Sequence, residues 1–343
     1  MFASIKRLAS SFASIRSPSA HLQVASWRTA ACLLSILTVS AAQAQQGFPN
    51  KPIRIISPFA AGSSTDLIAR IVGQKLSENI GQPVIVDTRP GANGIVGAEL
   101  VMRAAPDGYT LILASNGILG INVSLFNKLP YDPLKDFAPI TVGGFVPYFL
   151  LVSASSPVPS VKELIALAKA NPGKHTLSSA ASVAHLTGEL FKLSAGIDMT
   201  HVPYKSPANA FTDLISGQVD AHFEPLPSAL PQVKGGRVKA LAITTARRSS
   251  LAPEVPTIAE SGFPGFESTA WIAFLAPAGT PKDVIGRLNI ELTKAFQTPE
   301  VKDKLQQNGL EVQTSTPEQL TESIKAEIAK WVRVFRDAKL NRM

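Results

Sequence analysis

The sequence predicts an α/β protein of two lobes, the second inserted into the first, with a ligand cleft between them. Three observations carry that prediction. Short β-branched runs alternate with segments of helical periodicity from residue 45 onward. The rhythm restarts after Leu134-Lys135-Asp136-Phe137, which reads as a linker, and the Pro/Gly-rich stretch Ser261-Gly262-Phe263-Pro264-Gly265 marks a second crossing. The chain, at 343 residues, exceeds what one core usually serves, and its 45% hydrophobic content excludes a disordered chain.

Each element follows from local pattern. Ile53–Ser57 is a run of β-branched residues closed by Pro58, and Leu67, Ile68, Ile71, Val72 and Leu76 then recur at helical spacing. Val84–Val86 is a second strand between Gly81/Pro83 and Pro90-Gly91. Ile95 to Ala104 reads as a helix stopped by Pro106-Asp107-Gly108, and Tyr109–Ala114 as a third strand. This βαβ alternation builds a parallel sheet. In the second half, strands are expected at Tyr148–Val152, Thr176–Ser178, Thr200–Tyr204, Val219–Phe223 and Val238–Thr244. Helices fall near Pro159–Ala170, Ala184–Ala195, Ala208–Ser216 and Pro227–Lys234. Trp271–Ala276 is a strand, and the remainder is helical apart from a short strand near Leu310–Gln313. The expected lobes are 45–145 with 268–343, and 146–267.

Residues 1–44 read as a signal peptide. Lys6, Arg7, Arg16 and Arg28 are unaccompanied by any acid, an apolar run extends from Ala30 to Ala42, and Ala42-Gln43-Ala44 is an A-x-A cleavage pattern. No later apolar stretch has spanning length, so the expectation is an exported, soluble chain. The single cysteine, Cys32, excludes a disulfide framework and cysteine-rich metal sites. Beyond residue 44, 29 basic residues face 25 acidic ones, the longest basic run being Arg247-Arg248, which argues against nucleic-acid binding.

Catalytic and cofactor motifs are absent. Gly91-Ala92-Asn93-Gly94-Ile95-Val96-Gly97 lacks the close first glycine pair of a dinucleotide fingerprint and reads as a tight loop and helix start. There is no G-x-x-x-x-G-K-[ST], G-x-S-x-G, S-x-x-K or H-E-x-x-H. His185 and Glu189 stand i, i+4 on an expected helix and read as a surface pair rather than a metal site. No cofactor and no metal are expected. What stands out is a loop type used twice at strand-to-helix junctions, Pro58 to Asp66 and Leu177 to Ser182. Both are rich in Ser, Gly or Ala. Such loops let a ligand approach backbone N–H groups at a helix N-terminus, where an anion is favoured; they serve equally as plain helix caps.

Several segments match one family in order along the chain. Lys51-Pro52-Ile53-Arg54-Ile55-Ile56, Pro58-Phe59-Ala60-Ala61-Gly62 and Asp66-Leu67-Ile68-Ala69-Arg70 open the series. Arg89-Pro90-Gly91-Ala92-Asn93-Gly94, Pro106-Asp107-Gly108-Tyr109-Thr110-Leu111 and Leu129-Pro130-Tyr131-Asp132-Pro133 follow. Later come Val202-Pro203-Tyr204-Lys205, Asp213 to Asp220, Pro253-Glu254-Val255-Pro256-Thr257 and Ala276 to Pro281. Together they resemble Bug-type solute receptors, the extracytoplasmic binding proteins of tripartite tricarboxylate transporters.

The resemblance implies a type II-like periplasmic-binding-protein fold, no catalysis, and a small organic carboxylate as ligand. It implies a periplasmic monomer that delivers its ligand to a tripartite-type permease. A ligand-binding module docking on a membrane sensor, and a secreted hydrolase with an unrecognised triad, are the alternatives. It places Phe59, Ala60, Ala61, Gly62, Ser63 and Ser64 on one side of the ligand, with Asn116 nearby. On the other side stand Ser178, Ser179, Ala180, Ser182, Tyr204 and Glu224. Departures from the family are Ser63 for a second glycine, Ala180, Ala181 and Val183 in a loop that usually carries glycines, and Glu224 for an aspartate. If Glu224 faces the cleft, it needs a ligand donor, a proton or a base such as Lys205.

Overall fold

Ile53–Ser57 (β1), Val84–Thr88 (β2) and Thr110–Ser115 (β3) form a parallel array in the order β2-β1-β3, with Ile55 opposite Val86 and Leu111. This computed structural model describes residues 47–180 and 182–343, and residues 51–343 form one unit. Gly47–Asn50, described by themselves, carry no helix or strand. The expected signal segment and Ala181 lie outside the described residues.

Ser64–Ile80 (α1) links β1 to β2, burying Ile68, Ala69, Val72 and Leu76. It ends at Gly81, whose φ of 67° suits a residue without Cβ. Ile95–Met102 (α2) precedes β3. It lies close on the first loop because Gly97 has no side chain: a Cβ there would stand 2.8 Å from Pro58 Cβ.

The first departure from the sequence reading is Phe137–Ser153 (β4), a 17-residue strand that begins where a linker was expected. Pro139, Gly143, Gly144 and Pro147 read as breakers. The strand carries them through register shifts between Pro139 and Thr141 and between Val142 and Gly144, where extra residues are accommodated as bulges. From Phe137 to Pro147 it pairs with antiparallel Thr269–Pro277 (β9), which also pairs with β3. From Tyr148 onward it pairs with antiparallel Ala221–Pro225 (β7) and Val238–Ile243 (β8). Thr176–Ser179 (β5) joins β7 in parallel, and Thr200–Pro203 (β6) joins β5. The sheet is therefore mixed, where the alternation alone suggested a parallel one.

Helices Val161–Ala170 (α4), Ser182–Ala195 (α5), Pro207–Ser216 (α6) and Leu226–Lys234 (α7) surround the second set of strands; Asn122–Leu125 (α3) is a single turn after β3. Lys282–Gln297 (α8) and Pro299–Gln307 (α9) cover the first set, and Glu311–Val312 (β10) pairs with β4. Pro317–Asp337 (α10) begins at a Thr316/Gln319 capping box. Its Leu320 and Ile324 pack with Ile56, Ile112 and Leu275, whereas its Trp331, Val334 and Phe335 pack with Leu150, Phe191 and Phe223. One helix thus packs on two of the apolar clusters.

Candidate functional site

Strand direction brings the expected loops to one region. β3 runs toward the residue at which β4 changes partners, and β7 runs toward the same residue from the opposite side. Ser115 at the end of β3 pairs with Ile272, Thr269 of β9 pairs with Pro147, and Pro225 at the end of β7 pairs with Tyr148. β1 is parallel to β3, and β5 to β7, so their loops leave at the same two edges. Ligands in open α/β sheets sit outside such carboxyl ends.

The first loop is built around Asp66. Its carboxylate, 3% exposed, accepts from Gly62 N–H at 3.0 Å, Thr88 Oγ1 at 3.0 Å, and Arg70 Nε and Nη2 at 3.0 and 3.2 Å. Burial pushes the carboxyl up, but the bonds from Arg70, Gly62 and Thr88 outweigh it and hold Asp66 below the usual carboxylate range. Ser63 caps α1 by accepting from Asp66 N–H at 3.3 Å. The Ser63 N–H itself donates to Ala60 O at 3.0 Å, so it is already engaged. Ser64 and Thr65 N–H have no acceptor among the described residues and stand at the positive end of a 17-residue helix. Ala60, Ala61, Gly62 and Ser64 are exposed, and Phe59 packs half-buried on the first apolar cluster.

Asn116 is buried beside this loop's strand. Its Nδ2 donates to Thr269 O at 3.0 Å and Glu327 Oε1 at 2.9 Å, and its Oδ1 has no partner among the described residues. Turning the amide over would face oxygen against two acceptors, so this orientation is the one the network allows. Ser57 Oγ, at the end of β1, and Thr245 Oγ1, next to the Thr244 that bonds Tyr148, are likewise buried and unpartnered. Such groups are rare in interiors and call for a partner. Sequence reasoning missed Ser57 and Thr245; neither carries a motif.

The second loop turns Ser178 and Ser179 inward. Ser178 Oγ lies 3.2 Å from Ala221 O and 2.9 Å from His222 Nδ1. His222 Nε2 lies 2.9 Å from Glu224 Oε2, and Ser228 Oγ bonds Glu224 Oε1. Ser179 Oγ meets His201 Nε2 at 2.8 Å, and Tyr204 N–H donates to Ser179 O at 2.9 Å. The Tyr204 hydroxyl donates to Asp213 at 2.6 Å; burial first, then Asp213, pushes it up to about 12. Glu224 is 1% exposed, held by His222 and Ser228 rather than by Lys205. Ser182 is an exposed residue opening α5, and Ala180 is half-buried.

Ser178, His222 and Glu224 have a triad's composition without its function. Ser178 is fully buried within a strand and aims at Nδ1, and a nucleophile needs access. His185 pairs with Glu189 at 3.4 Å and stacks on His201 with centroids 3.8 Å apart; Glu189 is buried and also bonds Lys192, so this is not the surface pair expected. Burial, then the neighbouring His185, lowers His201 to about 4. No cluster of three metal-ligating side chains occurs among the described residues. Two surface concavities, of about 420 and 600 Å³, lie elsewhere and include none of the expected site residues.

Residues 68–340 match the model of the tripartite tricarboxylate transporter family receptor. The chain is 38% identical over 293 residues to protein BugT of Bordetella pertussis, covering 84% of this chain and 90% of that one. A solved structure described as a periplasmic transporter shares 38% identity with a TM-score of 0.69, covering 86% of this chain and 99% of its own. R. palustris Rpa4515, solved with adipate, shares 35% identity and a TM-score of 0.70, over 87% of this chain and 100% of its own. MatC from Rhodopseudomonas palustris, solved with bound malate, shares 33% identity with a TM-score of 0.66, over 84% and 99%. With its fold, its converging loops and this match over most of its length, the chain belongs to the tripartite tricarboxylate transporter receptor family, a family of non-enzymatic solute-binding proteins.

Proposed function

We propose that this chain is an exported periplasmic receptor, monomeric, that captures a small organic carboxylate between two lobes, 45–145 with 268–343 and 146–267, and delivers it to a tripartite-type membrane permease. The observation that carries this reading is the meeting of the β1 and β3 loops with the β5 and β7 loops where β4 changes partners, with Asn116 Oδ1, Ser57 Oγ and Thr245 Oγ1 buried there without a partner among the described residues. Relatives solved with adipate and with malate support a carboxylate as the ligand.

Neither loop contains Lys or Arg, from Pro58 to Asp66 or from Leu177 to Ser182. An anion is therefore held by N–H groups at the start of α1 and α5 together with water. Helix-terminus electrostatics supply about 0.3–2 kcal/mol each, and charge-assisted hydrogen bonds about 1.5–3 kcal/mol each. Several together support micromolar affinity, about 8 kcal/mol. Asp66 does not repel the anion, because Arg70 neutralises it. Glu224, occupied by His222 and Ser228, acts as a wall rather than a hydrogen-bond partner of the ligand.

A thermal-shift series with mono-, di- and tricarboxylates, adipate and malate included, tests the reading. An acid at 100 times its dissociation constant stabilises the fold by about 2.7 kcal/mol. A flat response to every acid would overturn it.

A further inference from the structure

Beyond the ligand site, charge is unevenly placed. Residues 45–343 hold 29 Lys and Arg against 25 Asp and Glu; residues 330–343 hold five against one, leaving 24 against 24 elsewhere. The excess therefore resides in the last two turns of α10 and the segment after it. There Lys330, Arg333, Arg336, Lys339 and Arg342 recur every third residue. Arg333, Arg336, Lys339 and Arg342 are exposed. Lys330 pairs with Glu327 and Arg336 with Asp337, while Arg333, Lys339 and Arg342 form no ion pair among the described residues. The segment is held in place: Met343 N–H donates to Leu125 O at 2.7 Å, and Asn127 N–H to Met343 O at 2.8 Å.

Lys330, Arg333 and Glu267 also border the concavity of about 420 Å³, whose apolar lining is Leu190 of α5 and Phe263 and Phe266 of the turn before β9. The same two helices carry Val332 and Leu193, 40% and 39% exposed. A socket with an apolar lining and a charged border, two cations against one carboxylate, has the composition of a protein interface, in which a side chain fills a hole inside a charged rim. A lipid headgroup layer needs only the charge.

We propose that this end of α10 is the docking face for the membrane partner, and that the partner presents an acidic protein surface with a protruding apolar side chain. The proposal rests on the receptor reading above. Position adds a reason for this face: α10 packs on two apolar clusters, so a partner seated on it touches a helix that joins them.

The test uses the full chain and inner-membrane vesicles of its native host, intact or shaved with trypsin, beside protein-free vesicles of phosphatidylcholine and phosphatidylglycerol. The protein is expected to co-sediment with intact vesicles in low salt and to be released by high salt. Shaved and lipid-only vesicles should not retain it. The triple variant Arg333→Glu/Lys339→Glu/Arg342→Glu should lose about tenfold in bound fraction. Lys162→Glu/Lys169→Glu/Lys174→Glu makes the same charge change at exposed residues far along the sequence and should bind as before. Both variants should keep the parent circular dichroism; if the first does not, the three Gln replacements take its place. Equal binding to lipid-only vesicles, equal loss in both variants, or no binding to intact vesicles overturns the proposal. Thermal shift with the acids above reads the receptor function separately, since acid binding without docking refutes only this proposal and docking without acid binding refutes only the former.

Discussion

Replacing Asp66 by alanine removes the acceptor on which the first loop is hung. Four hydrogen bonds end on that carboxylate, from Gly62, Thr88 and twice from Arg70. The Arg70 side chain is 53% exposed, so its pairing is worth only about 0–1 kcal/mol. The bonds from Gly62 and Thr88 reach a buried charge and contribute about 1.5–3 kcal/mol each. Gly62 is exposed and recovers part of its share from water, so the expected loss is about 3 kcal/mol for Asp66→Ala and about half that for Asp66→Asn, which keeps one acceptor. Because the native pKa lies below its unfolded value, this stability is present above about pH 3.9 and is lost as pH falls through the lower native value. Urea unfolding at neutral pH and in acid measures both parts. The difference between parent and Asp66→Ala should shrink in acid, and acid-ligand affinity should fall about tenfold as the loop loosens. A loss under about 0.5 kcal/mol with unchanged affinity would refute the role given to Asp66.

Gly97→Ala places a methyl 2.8 Å from Pro58 Cβ and 3.1 Å from Pro58 Cα, so stability should drop about 1–3 kcal/mol by chemical denaturation, with weaker ligand binding because Pro58 opens the loop. Glu327→Ala strands the Trp331 indole N–H and takes one of the two acceptors of Asn116 Nδ2, which bond Oε1 at 2.7 and 2.9 Å. It should cost about 2–4 kcal/mol, and Glu327→Gln, which keeps the acceptor, under about 1 kcal/mol; equal losses would show the network is not what matters. His201, neutral in the fold down to about pH 4, takes up a proton sooner when unfolded, so the fold loses stability as pH falls from about 6.5 toward 4. His201→Gln should flatten that slope in urea midpoints taken across the window; an unchanged slope would assign it elsewhere.

The sequence announced those elements whose boundaries coincide with turn chemistry. β1, enclosed between Pro52 and Pro58, and α1, ending at Gly81, read correctly because period and punctuation agree. The first half of β4 did not, since Pro139, Gly143, Gly144 and Pro147 mimic breakers while bulges and the β9 pairing absorb them. The two candidate loops were legible as small-residue junctions. Their wiring was only partly so: His222 and Glu224 share a face by i, i+2 spacing, but Ser178 reaches His222 through the β5–β7 register, a long-range fact with no local sign. Serine hydroxyls that look like ligand donors in sequence are used up inside for the same reason.

The most direct test of the account is amide hydrogen exchange across the two loops. In the presence of the acid that gives the largest thermal shift, peptides covering 58–66 and 177–183 should both gain protection, while α4, Val161–Ala170, stays unchanged. Protection of only one loop, or of neither, would contradict a ligand held jointly by the β1 and β5 loops.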